Sequence, residues 1–126
     1  MKTEPKKKKI YNIRDRVFQF SQRILEISEL LPNSKACDVL RTQLLKSGTA
    51  IGSNLEEIDG TITKRDFLNK VVIARKEAKE TLYWLRLIKG KYFDEEIIKD
   101  DLDELNEITL ILSAIINKTR KKNPSL

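Results

Sequence analysis

Histidine is absent from this 126-residue chain. The commonest general base and the commonest transition-metal ligand are therefore missing. The single cysteine, Cys37, excludes an intrachain disulfide and sets a reducing, cytoplasmic location as the expectation. Four Gly and three Pro leave little material for β-turns. No apolar run approaches the ~18 residues that span a bilayer. The longest lies near Leu110–Ile116, and Ser113 interrupts it. Residues 1–12 are basic and lack the apolar stretch of a signal peptide. No membrane partner is expected. No P-loop, dinucleotide fingerprint, cysteine cluster or nucleophile elbow occurs. These absences leave no catalytic residue, metal ligand or cofactor to assign.

What is present describes one globular domain. Hydrophobic residues make up 40% and charged residues 35%, too apolar for a disordered chain and too charged for a membrane one. The net charge of +6 is unevenly spread: residues 1–16 carry +5, residues 117–126 carry +4, and the 100 residues between them carry −3. The basic N-terminal stretch includes Lys6, Lys7, Lys8 and Lys9, and the C-terminal one Lys118, Arg120, Lys121 and Lys122. Like-charge blocks of this kind stay solvated and serve as interaction arms. The reading is a basic flexible tail over 1–9, a helical domain over 10–118, and a second basic tail over 119–126.

Four helices follow from apolar residues recurring at steps of three and four. The first spans about 10–30, with Ile13, Val17, Phe20, Ile24, Ile27 and Leu31 on its seam. The second spans about 35–57 with Leu40, Leu44, Ser47, Ile51, Asn54 and Ile58. The third spans about 64–89 with Phe67, Val71, Ala74, Ala78, Thr81, Leu85 and Ile88. The fourth spans about 95–118 with Ile98, Leu102, Leu105, Thr109, Leu112 and Ile116. No segment alternates with period two. Leu31-Pro32 ends the first helix, and Asn33 or Ser34 can cap the second. Thr63 with Asp66 resembles a capping box, Gly90 can close the third helix, and Asp94 can cap the fourth. Short loops favour antiparallel neighbours. The expected fold is all-α, an antiparallel up-down-up-down four-helix bundle. Both tails then leave from one end, beside the turn between the second and third helices.

Several residue groups invite a functional reading. Glu56, Glu57, Glu77 and Glu80 resemble a carboxylate metal set, but bundle di-metal sites also need histidine. Glu57 and Glu77 lie roughly 20 Å apart by helical rise, so Glu57 and Glu80 read as ion-paired or solvated structural carboxylates. Asn54, polar on a seam, can fix register or oligomeric state. Gly48, Ala50, Gly52 and Ser53 make the second helix small-sided, so a neighbouring helix or another subunit should pack close. Arg75, Lys79 and Arg86 share a face of the third helix with Tyr83. They can bind phosphate and stack a base, or form a solvated face with salt bridges. Trp84 reads as core or subunit interface. Leu55, Leu68, Val72, Leu82, Leu87, Ile97 and Ile111 exceed what a slim bundle must bury, and a closed oligomer would cover them. The acidic fourth helix and the basic third can pair within a chain or between chains.

The stretches Gln43–Ser47, Ile51–Glu57, Arg65–Phe67 and, above all, Lys76–Arg86 (KEAKETLYWLR) resemble the four-helix-bundle family of bacterial 23S rRNA intervening-sequence proteins. The resemblance covers about residues 10–118, and Ile58 stands where many members have Gly. It implies an up-down bundle assembled as a homo-oligomer, with a pentameric ring favoured, and no catalytic activity. A related branch, the accessory proteins of diversity-generating retroelements, has a similar fold and binds nucleic acid and a reverse transcriptase. The expected function is a non-enzymatic oligomer that binds RNA or DNA through basic surfaces. The alternative is a scaffold or adaptor whose partner is another protein.

Overall fold

The computed structural model describes residues 13–126. Lys6, Lys7, Lys8 and Lys9 lie outside the described residues. The described residues form four helices: α1 Ile13–Leu30, α2 Lys35–Glu56, α3 Lys64–Ile88 and α4 Glu95–Lys122. A 3-10 turn, Glu57–Gly60, continues α2 toward α3. Each helix packs against two others, in the cycle α1, α2, α3, α4 and back to α1. The described residues contain no strand, only an isolated bridge between Lys89 and Phe93.

The helix ends follow local chemistry. Ser34 Oγ accepts from the Cys37 N–H at 3.1 Å, and Thr63 Oγ1 accepts from the Asp66 N–H at 3.1 Å. Each satisfies an amide that the first turn leaves unpaired. Gly90, with φ +78°, turns the chain after α3, and its N–H donates to the Phe93 carbonyl at 2.8 Å. A side chain at that φ would be strained. Asp94 precedes α4 but makes no side-chain capping bond.

α4 runs on to Lys122, four residues past its expected end. Arg120, Lys121 and Lys122 sit in its last turn, where cations complement the helix dipole. The Asn123 N–H donates to the carbonyls of Thr119 and Arg120, and Leu126 packs on the core. Half of the expected flexible tail over 119–126, residues 119–122, is thus the end of α4.

The buried seams largely follow the apolar periodicity on three helices, except that Leu68 rather than Phe67 is buried on α3 and Ile108 rather than Thr109 on α4. Val17, Phe20, Ile24, Ile27 and Leu31 meet Val71, Ala74, Ala78, Leu85, Ile88, Ile98, Leu105, Ile108, Leu112 and Ile116 in one core. On α2 the seam is rotated: Cys37, Leu44, Ser47, Gly48, Ile51 and Leu55 are buried, while Asn54 is half-buried. Asn54 Nδ2 donates to the Ala50 carbonyl of its own helix at 2.8 Å. Leu55 and Leu68, expected to await another subunit, are core residues of the single chain.

The small side of α2 also has an intrachain partner. A Cβ on Gly48 would lie 2.8 Å from Ile24 Cγ2, and one on Gly52 would lie 3.3 Å from Val17 Cγ1. Helix α1 therefore occupies the space that the missing side chains leave.

Candidate functional site

Charge pairing sorts the basic residues into two sets. On α1, Arg14 forks onto Asp59 at 2.8 and 2.9 Å, and Arg16 onto Glu104 at 2.6 and 3.0 Å. Arg23 bonds both oxygens of Asp101 at 3.0 Å and the Ile97 carbonyl at 3.1 Å. Climbing α1 from Arg16 to Arg23 thus descends α4 from Glu104 to Asp101. On α2, Arg41 holds Asp38 at 2.7 Å and the carbonyls of Ser28 and Leu31 at 2.9 Å. These planar guanidinium contacts are structural. The hydrogen bond to Asp59 raises the Arg14 pKa and, with the attraction of Arg14, holds the Asp59 carboxyl below its ordinary value. Burial raises the Asp101 pKa, although the Arg23 hydrogen bond pulls it down.

On α3 the pattern reverses. Lys70 pairs with Glu57, and Lys89 with Glu95. Arg75, Lys76, Lys79 and Arg86 form no ion pair among the described residues. Arg75 donates to Ser113 Oγ at 3.3 Å, bridging to α4. Lys76, Lys79 and Arg86 are exposed. Val72, Arg75, Lys76, Lys79, Glu80 and Tyr83 line a shallow groove. Tyr83 is exposed, and its ring meets half-buried Trp84 edge-on with centroids 5.1 Å apart and planes at 69°. Trp84 packs against the core, so Tyr83 is the aromatic face open to a ligand.

The carboxylates do not converge. Glu57 pairs with Lys70 at one end of α3, and exposed Glu80 borders two grooves. Glu77 is half-buried beside Gln43, Lys46 and Glu80. Burial and then the charge of Glu80 raise its pKa. Among the described residues, no three acidic or cysteine side chains come together to hold a metal ion. No helix of the described residues is long and apolar enough to cross a membrane.

A second basic cluster lies at one end of the molecule. Thr61, Ile62, Lys64, Phe67, Lys118 and Lys122 line a pocket between the α2–α3 connection and the last turns of α4. Asp59, in the same connection, receives Arg14 from the start of α1. The structure therefore joins Lys118 and Lys122 to Lys64 and Phe67. It leaves Arg75, Lys79 and Arg86 as a separate surface further along α3. Arg120 and Lys121 are exposed and do not line the pocket. Sequence reasoning did not single out Lys64 or Lys76, and it placed Phe67 on the core seam, where the structure leaves it half-buried on the pocket wall. Lys64 and Arg65 at the start of a helix gave one signal, because that position favours acidic residues.

Comparison with known proteins places this geometry in a family. Residues 9–114 match the family of 23S rRNA-intervening sequence proteins. No curated protein matches the chain. A solved structure of a protein of unknown function from the S23 ribosomal protein family of Bacteroides thetaiotaomicron is similar, with 35% sequence identity and a TM-score of 0.79. That match covers 86% of this chain and 98% of the other. With the helix motifs, the fold and the family match in agreement, the chain belongs to the 23S rRNA-intervening sequence protein family.

Proposed function

We propose that the protein is a non-enzymatic, cytoplasmic homo-oligomer that binds RNA or another nucleic acid through basic surfaces. The carrying observation is the division of its cations. The arginines of α1 and Arg41 on α2 are engaged in ion pairs, whereas Arg75, Lys76, Lys79 and Arg86 form no ion pair among the described residues. A cation row beside an exposed tyrosine suits a phosphate backbone with a stacked base.

The proposed architecture is an antiparallel up-down-up-down bundle closed into a ring, with a pentamer favoured. The opposed order of the Arg16–Glu104 and Arg23–Asp101 pairs supports the helix directions. Phe18 and Leu25, one heptad apart on α1 and 62% and 48% exposed, support an apolar contact between copies.

The test is fluorescence anisotropy of labelled single-stranded RNA with the full-length protein, from about 50 mM salt upward. Affinity should fall steeply as salt rises. Replacing Arg75, Lys79 and Arg86 together with Gln should weaken binding and flatten that slope. No association at the lowest salt overturns the nucleic-acid reading and favours a protein scaffold. The exposed apolar residues of α1 are the specific observation behind that second reading.

A further inference from the structure

We propose that the end pocket is a nucleotide site for single-stranded RNA, holding a backbone phosphate among Lys64, Lys118 and Lys122 with its base against Phe67 and Ile62. The proposal rests on the nucleic-acid reading and assigns it a defined seat. Three lysines from two separate elements line one concavity, and no carboxylate lines it with them. None of the three forms an ion pair among the described residues. Converging cations of this kind repel one another unless an anion sits between them.

Local stability does not account for the cluster. Lys122 complements the dipole at the end of α4, but Lys64 opens α3, where a cation is unfavourable. A residue that breaks a local rule without a compensating contact points to function. The apolar half of the pocket is equally unusual. Ile62 is 92% exposed in the connecting loop, and Phe67 is only half-buried. An apolar side chain and an aromatic beside a phosphate seat form a stacking platform for a base. Thr61, Thr63, Thr119 and Asn123 add polar atoms along the wall.

The experiment uses the full-length protein and a labelled oligouridine of about eight nucleotides. A K64Q/K118Q/K122Q variant is compared with an R75Q/K79Q/R86Q variant, which removes the same charge from the other surface. Circular dichroism and thermal melting verify that both stay folded. The pocket variant should lose at least about tenfold in affinity relative to wild type. Phe67→Leu should lose about fivefold or more toward oligouridine and little toward an abasic strand of equal length. Pocket variants that bind like wild type overturn this site and leave the α3 surface standing. An equal loss on both strands with Phe67→Leu overturns the base-stacking assignment. Failure of the wild type to bind either strand overturns both readings together.

Discussion

Thr81 Oγ1 lies 2.9 Å from Ser47 Oγ inside the α2–α3 interface, and 2.8 Å from the Glu77 carbonyl one turn back. Both hydroxyls are buried, and every fully buried side-chain polar atom among the described residues has a partner. The pair is a small polar bridge in an otherwise apolar seam.

That bridge makes a sharp prediction. Thr81→Val strands the Ser47 hydroxyl and should destabilise by about 1–3 kcal/mol. Ser47→Ala alone costs less, because Thr81 keeps its bond to Glu77. The double variant should recover part of the Thr81→Val loss, since no buried polar atom is then orphaned. Denaturant melts of all four proteins give the coupling energy. Strict additivity would show that the two hydroxyls act independently.

The two glycines of α2 should respond differently to alanine. Alanine gains about 1 kcal/mol of helix propensity at either site. At Gly48 the new methyl would meet the Cγ2, Cγ1 and Cβ atoms of Ile24 at 2.8, 3.1 and 3.3 Å. Ile24 is fully buried, so overpacking of about 1–3 kcal/mol outweighs the gain. At Gly52 the nearest atoms are Val17 Cγ1 at 3.3 Å and Ser21 Oγ at 3.6 Å. Gly48→Ala should lower the melting temperature, and Gly52→Ala should lower it less or raise it. The reverse order would mean that α1 sits further from Gly48.

Much of this packing was legible in the sequence. The 3-4 spacing located most of the cores of α1, α3 and α4, including Ala74, Ala78 and Thr81, because one helix face must meet its neighbours; it favoured Phe67 and Thr109 where the chain buries Leu68 and Ile108. On α2 the same spacing favoured Asn54 and Ile58 where the chain buries Leu55. Two alternative stripes run along that helix, and Gly48 and Gly52 let α1 approach and select one of them. The end of α4 was also hidden, since a run of cations reads as a solvated tail until Leu126 is seen on the core. Arg75, Lys79 and Arg86 could be grouped from the sequence because they share one helix face. The end pocket could not, because Lys64 and Lys118 meet only through tertiary structure.

Glu77 provides a test by pH. Its folded-state pKa is raised, first by burial and then by Glu80. Its contribution to stability is therefore fully present below the unfolded pKa and is lost as pH rises through the folded value. Glutamine mimics the neutral carboxyl at every pH. Glu77→Gln should match the wild type in acid and exceed it in melting temperature at neutral pH. The difference should open upward from the ordinary carboxylate range, about pH 4. A constant difference from acid to neutral pH would show that burial does not penalise the charged form.

Assembly can be tested at the apolar positions that the single chain leaves open. Phe18 and Leu25 are exposed on one side of α1, while Val17, Phe20 and Ile24 fill the core behind them. A lysine at each exposed position leaves that core intact, so the helices should remain and the melting of an isolated chain should change little. In a homo-oligomer that covers these residues, two buried lysines per interface are costly to desolvate. F18K/L25K should then shift the mass in light scattering toward the monomer while the helical circular dichroism persists. Asn54→Leu is measured beside it, because Asn54, half-buried and bonded to the Ala50 carbonyl of its own helix, is the seam residue expected to fix register or oligomeric state. An unchanged mass for F18K/L25K would place the subunit contact elsewhere, with Leu110 of α4, 65% exposed, the next residue to replace.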